Sequence, residues 1–246
     1  MAKIILIETS TALCSVGLAE DGVCTHYTES PEPRAHAAMT APYIKAVLDE
    51  AGLKVTDCDA VCVSKGPGSY TGLRVGSSTA KGLCFGAGIP LIAVGTLDIL
   101  AAMGRNVPDL QPEPCSAIVP MIDARRMEVY CAVFSPEGKQ LKPTVSTVVT
   151  PESFAEELAA GPVLFIGDGA LKCREVLSSP NARFAAPASP GAGAAAQDSP
   201  FAGCPHAAAM APLAEAAFRS GRFEDTAYFE PFYLKDFVAA LPKKLF

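Results

Sequence analysis

The clearest chemical pattern in the chain is a glycine-rich segment at residues 64–76, which reads Ser-Lys-Gly-Pro-Gly-Ser-Tyr-Thr-Gly-Leu-Arg-Val-Gly. It follows a valine-rich run of strand length and precedes a predicted helix. A loop in this position can turn backbone N–H groups toward a phosphate. Glycines can equally serve to let another helix approach a backbone that carries no side chains. The first question for function is which of these two needs the segment meets.

Neither common phosphate motif is present. Walker A requires Gly-Lys followed by Ser or Thr, and the chain lacks that tripeptide. The dinucleotide fingerprint G-x-G-x-x-G is not matched by Gly66, Gly68 and Gly72, because three residues instead of two separate Gly68 from Gly72. Helical spacing fits better, since Gly72, Gly76 and Ala80 recur every four residues and leave one face nearly bare. Each helical glycine costs about 1 kcal/mol relative to alanine, so packing inside the chain, contact with a partner, or both must compensate.

Acidic residues after two apolar runs offer a second kind of chemistry. Glu8 is followed by the hydroxyl residues Thr9, Ser10 and Thr11, and Asp123 follows an equivalent run in the second half. Two such carboxylates could hold hydrated magnesium, as in sugar kinases and actin-like ATPases. The first loop has no glycine that would let a phosphate reach the backbone. We interpret residues 8–11 as a vestigial nucleotide loop and predict no catalytic residue.

Metal and nucleophile patterns are weaker still. The three histidines form no H-E-x-x-H, and no G-x-S-x-G elbow is present. His36 stands at the start of a predicted helix, where a solvated or capping role is expected. The nine cysteines are scattered, without C-x-x-C, and are expected to be buried free thiols. No metal and no cofactor are predicted.

The elements of the first half place the glycine-rich segment between a strand and a helix. A helix at residues 35–51 ends at Gly52, and it carries a second apolar stripe formed by Met39, Tyr43 and Val47. A further short helix at residues 96–103 is expected to have Thr96 as its cap. The remaining predicted elements are strands at 3–7, 13–19, 23–29, 60–63 and 89–94 and a helix at 69–85, capped by Ser69 or Thr71.

The second half repeats this opening. Predicted strands at 115–122 and 127–134 flank a polar turn, so Asp123 corresponds to Glu8 at an offset of 115 residues. An acidic residue followed by glycine recurs at 21–22 and 137–138. This spacing predicts an internal duplication, divided at the proline-rich connector 106–114 into domains 1–105 and 115–246. Later elements are helices at 151–160, 169–177 and 207–220, a strand at 163–166 and an irregular segment at 187–205. The helix near 207–220 is expected to pack back on the first domain.

Composition limits the function classes. The chain of 246 residues has a net charge of −6, from 20 basic and 26 acidic residues. This charge argues against a broad nucleic-acid surface and leaves room for a local one. No apolar run reaches the roughly 18 residues of a membrane span. The N-terminus enters a strand pattern directly, without the layout of a signal peptide, so a cytoplasmic protein without a membrane contact is expected.

Several strings of residues carry a family resemblance. They are residues 7–11, 14–16, 34–36, 66–76, 80–83, 89–90, 123–130 and 231–235. These strings closely resemble the TsaB family, also called YeaZ, over nearly the whole chain and most densely from residue 4 to 100. The string at 66–76 is far more specific than a lone glycine loop, whereas residues 180–210 are not diagnostic. Glu8 replaces the commoner Asp, and Ala37 stands where Ser is frequent.

The resemblance implies an α/β protein with the duplicated actin-like ATPase (ribonuclease-H-like) fold, in which each of two domains has a mixed sheet flanked by helices. It implies a non-catalytic partner of a TsaD-type enzyme, which transfers threonylcarbamoyl to adenosine next to the anticodon in tRNAs that read codons beginning with A. A TsaE-type ATPase joins the two proteins, and tRNA is reached through the complex. The TsaD-type enzyme binds metal through a histidine pair, of which only His36 has a counterpart here.

The resemblance also places the contact with the TsaD-type partner in a bundle of helices 35–51 and 69–85. The residues carried over to this interface are Met39, Tyr43, Val47, Tyr70, Gly72, Leu73, Gly76, Ala80 and Leu83. The alternatives are a small actin-like ATPase or kinase acting alone, suggested by Glu8 and Asp123, and more remotely a peptidase. Whether the isolated chain forms a homodimer through the same helices is left open by the sequence.

Overall fold

The computed structural model describes residues 2–30, 32–33, 35–107, 115–191 and 201–235, and it contains ten strands and five helices within these ranges. The strands are β1 (Lys3–Glu8), β2 (Ser15–Glu20), β3 (Val23–Glu29), β4 (Ala60–Ser64), β5 (Leu91–Val94), β6 (Ala117–Asp123), β7 (Glu128–Phe134), β8 (Gln140–Val148), β9 (Val163–Ile166) and β10 (Ala182–Ala185). The helices are α1 (His36–Ala51), α2 (Tyr70–Ala87), α3 (Thr96–Gly104), α4 (Ala155–Ala160) and α5 (Ala207–Arg219).

The first sheet has the strand order β3-β2-β1-β4-β5. Strand β1 is antiparallel to β2 and parallel to β4, and β4 is parallel to β5. Every residue of β1 after Lys3 is buried, as expected for a central strand covered on both faces. The continuous apolar run at the start of the sequence therefore becomes the middle of the sheet.

The second sheet repeats the first. Its order is β8-β7-β6-β9-β10, so each strand occupies the position of the strand five earlier in the chain. The directions also match, since β6 is antiparallel to β7 and parallel to β9. The predicted duplication and the actin-like fold are confirmed by this shared topology.

Helices cover both sheets and also fill the space between them. Helices α3 and α5 share one core with the facing sides of the two sheets, which includes Leu6, Cys62, Phe134 and Ile166. Helix α5 contacts all five strands of the first sheet. The outer face of the first sheet packs on α1 and α2, and that of the second sheet packs on α4 and a 3₁₀ turn at Leu171–Cys173. No helix in the described ranges has the length and apolar character that a bilayer crossing needs.

Several element boundaries differ from the sequence predictions. Strands β8 and β10 were not predicted, because β8 is a largely exposed edge strand and β10 is short. Helix α4 begins only at Ala155, after a series of turns. In place of the helix predicted at 169–177, the structure has only the short 3₁₀ turn Leu171–Cys173. The predicted Thr96 cap is wrong, since Gly95 is the N-cap of α3. Residues 108–114 of the connector, 192–200 of the irregular segment and 236–246 of the second predicted domain lie outside the described residues.

After α5 the chain returns across the molecule. Residues 221–235, called here the C-terminal segment, follow β5 first, where the Glu224 N–H donates to the Leu91 carbonyl at 2.8 Å. The Lys81 ammonium on α2 then donates to the carbonyls of Ala227 and Phe229 at 3.0 and 3.1 Å. Further along, the segment reaches the second sheet through an ion pair made by Lys235. The C-terminal segment thus ties the two halves together.

The burial of Phe229 predicts how strongly this segment contributes to stability. Phe229 is 8% exposed within the core under α1 and α2, whereas its neighbour Tyr228 is 84% exposed. We expect Phe229→Ala to lower the free energy of unfolding by about 3 kcal/mol, because it leaves a cavity in that core. Urea denaturation measures the change, and Tyr228→Ala serves as the control that stays within about 0.5 kcal/mol of wild type. Equal effects from both substitutions would contradict the assigned packing.

Candidate functional site

The glycine-rich segment forms a tight turn that is closed by its own chain. Ser69 is the N-cap of α2, and its hydroxyl accepts from the Gly72 N–H at 3.3 Å, which confirms Ser69 as the cap. The Ser69 N–H itself donates to the Ser10 carbonyl at 2.6 Å. Gly66 has φ of 104°, a conformation that favours glycine. The N–H donors of Ser69 and Gly72 are therefore used internally.

The bare face of α2 rests on the loop after β1. A Cβ atom on Gly72 would overlap the Thr9 carbonyl oxygen, and one on Gly76 would overlap the Thr9 hydroxyl. That hydroxyl donates to the Gly72 carbonyl at 2.9 Å. Ala80 continues the face and is fully buried. The structure thus shows packing inside the chain for these glycines, which is one of the explanations that the sequence left open.

Glu8 anchors the same loop from beneath. Its Oε1 accepts from the Ser10 N–H at 2.6 Å and from the Ser64 hydroxyl at 3.0 Å. The side chain is fully buried, and Oε2 has no hydrogen-bond partner among the described residues. Burial raises the pKa of Glu8 to about 7, although the hydrogen bonds lower it. Thr9, Ser10 and Thr11 are also buried, so the loop supports α2. The Ser10 N–H is already bonded to Glu8 and is not available to a phosphate.

Asp123, the counterpart of Glu8, has its own partners. Its Oδ1 accepts from the Lys172 ammonium at 2.5 Å and from the Arg125 N–H at 2.7 Å. The Asp123 N–H donates to Asp168 Oδ1 at 3.0 Å, and burial raises the pKa of Asp168 to about 6. Within the described ranges, no three His, Cys, Asp or Glu side chains are grouped so that they could hold a metal ion.

The histidines and cysteines have structural positions. His36 is buried rather than solvated, with Nε2 3.3 Å from the Leu13 carbonyl, so the sequence expectation for it is wrong. Burial lowers its pKa. His206 caps α5, because its Nδ1 accepts from the Ala209 N–H at 3.3 Å. All nine cysteines are free, and burial raises the pKa of each thiol, in agreement with the prediction of free thiols; Cys24 alone is only partly buried.

The nine predicted interface residues divide into two groups. The chain itself covers one group, which consists of Val47, Gly72, Leu73, Gly76 and Ala80. The other group lies half-buried at the margins of α1 and α2 and consists of Met39, Tyr43, Tyr70 and Leu83.

The sequence predictions missed the residues of α2 that point away from the sheet. Gly82, Phe85 and Gly86 are exposed, Phe85 to 88%. A Cβ atom on Gly82 or Gly86 would meet nothing within 4 Å. Gly82 and Gly86 also recur at a spacing of four, so the sequence carries the signal, although the covered pair has the same spacing. We call Gly82, Phe85, Gly86 and the exposed residues Ala37, Ala38, Ala41 and Ser78 the outer face of α1 and α2.

The two kinds of glycine in α2 predict opposite effects of the same substitution. Gly72→Ala is expected to lower the free energy of unfolding by about 1–3 kcal/mol, because the new methyl group meets a backbone oxygen that cannot move aside. Gly82→Ala is expected to raise it by about 1 kcal/mol through helix propensity alone. Thermal or urea denaturation of the two variants gives the comparison. Stabilisation by Gly72→Ala would disprove the close contact with Thr9.

The buried carboxyl of Glu8 predicts a pH dependence of stability. Since burial raises its pKa from 4.5 to about 7, the folded chain binds this proton more tightly than the unfolded chain. The contribution to stability is complete below about pH 4.5 and is lost as the pH rises through about 7. We expect wild type to lose up to about 3 kcal/mol relative to Glu8→Gln between about pH 4.5 and pH 8, measured by urea denaturation. Parallel pH curves for the two proteins would contradict this assignment.

Comparisons with known proteins agree on one family. The family model described as TsaD, tRNA N6-adenosine threonylcarbamoyltransferase, matches residues 29–243. The tRNA threonylcarbamoyladenosine biosynthesis protein TsaB of Escherichia coli is 37% identical over 134 residues, which cover 54% of each chain. TsaB of Bacillus subtilis is 32% identical over 168 residues, which cover 67% of this chain and 70% of that protein. The aligned region thus spans about half the length of the first of these relatives.

A solved structure gives the same result over a larger part of the chain. The structure of YeaZ from Pseudomonas aeruginosa superposes with a TM-score of 0.73 and 27% sequence identity. The superposition covers 95% of this chain and 100% of the other.

Proposed function

The chain belongs to the TsaB (YeaZ) branch of the TsaD family, and on that premise we propose that it is a non-catalytic subunit that binds a TsaD-type threonylcarbamoyltransferase. In this heterodimer it supports transfer of the threonylcarbamoyl group to adenosine next to the anticodon, in tRNAs that read codons beginning with A. A TsaE-type ATPase joins the complex, and tRNA is bound through the complex. The division into domains 1–105 and 115–246 is part of the same proposal.

The observation that carries the proposal is the outer face of α1 and α2. Gly82 and Gly86 cost about 1 kcal/mol each relative to alanine, and no atom of the described chain uses the space they leave. Phe85, between them, exposes a large apolar side chain. A helix of a partner protein could approach the glycines closely and cover this ring. These residues therefore support a helix-to-helix contact.

The interface residues predicted from the sequence take different parts in this contact. Met39, Tyr43, Tyr70 and Leu83 would border it, since their side chains are half exposed. The covered residues, such as Leu73 and Ala80, would act from beneath by holding the two helices on the sheet. Two copies of the chain could pair through the same outer face when the partner is absent.

The loop around Glu8 supports a role without catalysis. The Ser10 N–H is bound to Glu8, and the Ser69 N–H is bound to the Ser10 carbonyl. Asp123 is neutralised by Lys172. The groups that would hold a nucleotide in an ATPase or kinase are engaged within the chain, which favours the partner role over the alternatives.

Two substitutions on the outer face test the proposal. Phe85→Asp and Gly82→Arg are expected to weaken binding to the TsaD-type protein of the same source at least tenfold, because they place a charge or a long side chain in the contact. Calorimetric titration of the purified proteins measures the affinity, and circular dichroism verifies the fold. The control is Leu141→Asp, which changes an equally apolar side chain, 55% exposed on β8.

The contrary results are clear. Wild-type affinity in both folded variants would overturn the assigned contact. Turnover of magnesium–ATP by the lone chain would favour the ATPase alternative in place of the partner role.

A further inference from the structure

Cationic and aromatic side chains lie together along a strip that crosses from the first half to the second. The Arg74 guanidinium lies 4.4 Å from the centroid of the Tyr70 ring, which packs 4.9 Å from the ring of Tyr233. Two residues further on, the Lys235 ammonium lies 5.8 Å from the ring of Tyr130 on β7. We call this set the basic strip, and its members are Tyr70, Arg74, Arg125, Arg126, Tyr130, Tyr233 and Lys235.

The strip is continuous because the C-terminal segment joins its two ends. The Phe232 N–H donates to the Lys65 carbonyl at 2.6 Å, which fixes the segment beside the start of α2. At the other end Lys235 pairs with Glu128, the first residue of β7, at 2.5 Å. Arg125 and Arg126 lie just before that residue, in the turn between β6 and β7.

The charge of the strip is opposite to that of the whole chain. Arg74, Arg125 and Arg126 are exposed, and no carboxylate of the described residues lies within ion-pair distance of any of them. The two carboxylates nearby are already neutralised, Asp123 by Lys172 and Glu128 by Lys235. A chain of net charge −6 thus collects, within its described part, three guanidinium groups without a carboxylate partner around one turn and one helix end.

The backbone of the turn shows that these arginines are costly. Arg125 has φ of 74° and Arg126 has φ of 50°. The left-handed conformation costs an ordinary residue on the order of 1 kcal/mol, and asparagine or glycine adopts it more readily. Two arginines in these positions oppose the stability of the turn, so their presence indicates a use for their side chains.

We propose that the basic strip binds the phosphate backbone of RNA. Guanidinium groups donate paired hydrogen bonds to phosphate oxygens, and tyrosine rings between cations are typical of surfaces that bind exposed nucleotides. The rings pack against the cations and against each other, so the guanidinium groups make the phosphate contacts in this proposal. The identification of the RNA as tRNA rests on the proposed function, whereas the strip itself does not.

The test uses the complete chain and substitutions that improve the turn while removing its charge. Arg125→Asn combined with Arg126→Gly is expected to keep or raise the melting temperature. A fluorescent, unmodified tRNA transcript that reads a codon beginning with A is titrated by anisotropy at several salt concentrations. We expect at least tenfold weaker binding by this double variant and a log–log salt slope smaller by about two, one for each arginine that no longer neutralises a phosphate.

A matched control separates the strip from general charge. Lys54→Gln combined with Lys139→Gln removes the same charge from exposed positions at the opposite ends of the strands and is expected to bind like wild type. Any of three results would overturn the proposal. The control could weaken binding as much as the double variant, the double variant could bind with wild-type affinity, or the wild type could show no salt-dependent binding, either alone or with the TsaD-type protein.

One further measurement, binding of the double variant to the TsaD-type protein, distinguishes the competing partners. Loss of binding to the TsaD-type protein with unchanged RNA affinity would identify the strip as a protein contact and overturn the RNA assignment. The RNA titration is also made with the lone chain, so it tests the basic strip even if the proposed heterodimer does not form.

Discussion

The close contact between Thr9 and the bare face of α2 is the constraint on which the rest of the structure depends. It requires glycine at positions 72 and 76, where a methyl group would overlap Thr9. The two glycines cost about 1 kcal/mol each in helix propensity. Complete burial of Leu73 alone, at roughly 1.5–3 kcal/mol, offsets most of that cost. The helix can therefore lie directly on the loop after β1.

The same contact decides the chemistry of the loop. Because α2 lies so close, the Ser69 N–H reaches the Ser10 carbonyl, and Glu8 is enclosed with Ser10 and Ser64. Enclosure raises the pKa of the Glu8 carboxyl and directs its accepting oxygen to the chain's own donors. A loop that could have faced a phosphate thus becomes a support for a helix. The opposite surface of that helix stays exposed to solvent.

The two halves of the duplicated fold differ in the helices on their outer sides. Both sheets have the same strand order, but the first carries helices of 16 and 18 residues on its outer side. The second carries α4, with six residues, and a 3₁₀ turn. The first half thus presents a long helical surface, which is the proposed partner contact, and the turn between β6 and β7 gives the second half its exposed arginines. The C-terminal segment joins these two regions, so the proposed partner contact and the proposed RNA contact lie on connected parts of the chain.

The sequence by itself determined the framework. A duplicated α/β fold followed from three local features: the apolar run of β1, the Gly52 that ends α1, and the repeated spacing of Glu8 and Asp123. Such local patterns and repeat distances depend only on the order of residues along the chain. The absence of both phosphate motifs could also be established from the sequence. Edge strand β8 could not be predicted, because its apolar residues Leu141 and Val148 are exposed and do not follow the pattern of a half-buried strand.

Only the tertiary structure decided what each face of α2 touches. Helical period shows that Gly72 and Gly76 share one face and that Gly82 and Gly86 recur in the same way. It does not show which of them another part of the chain will cover. That depends on where the loop after β1 ends in space, and it ends at Thr9 against the first pair. The second pair is left exposed to solvent, and for that reason the proposed contact is placed on the outer face.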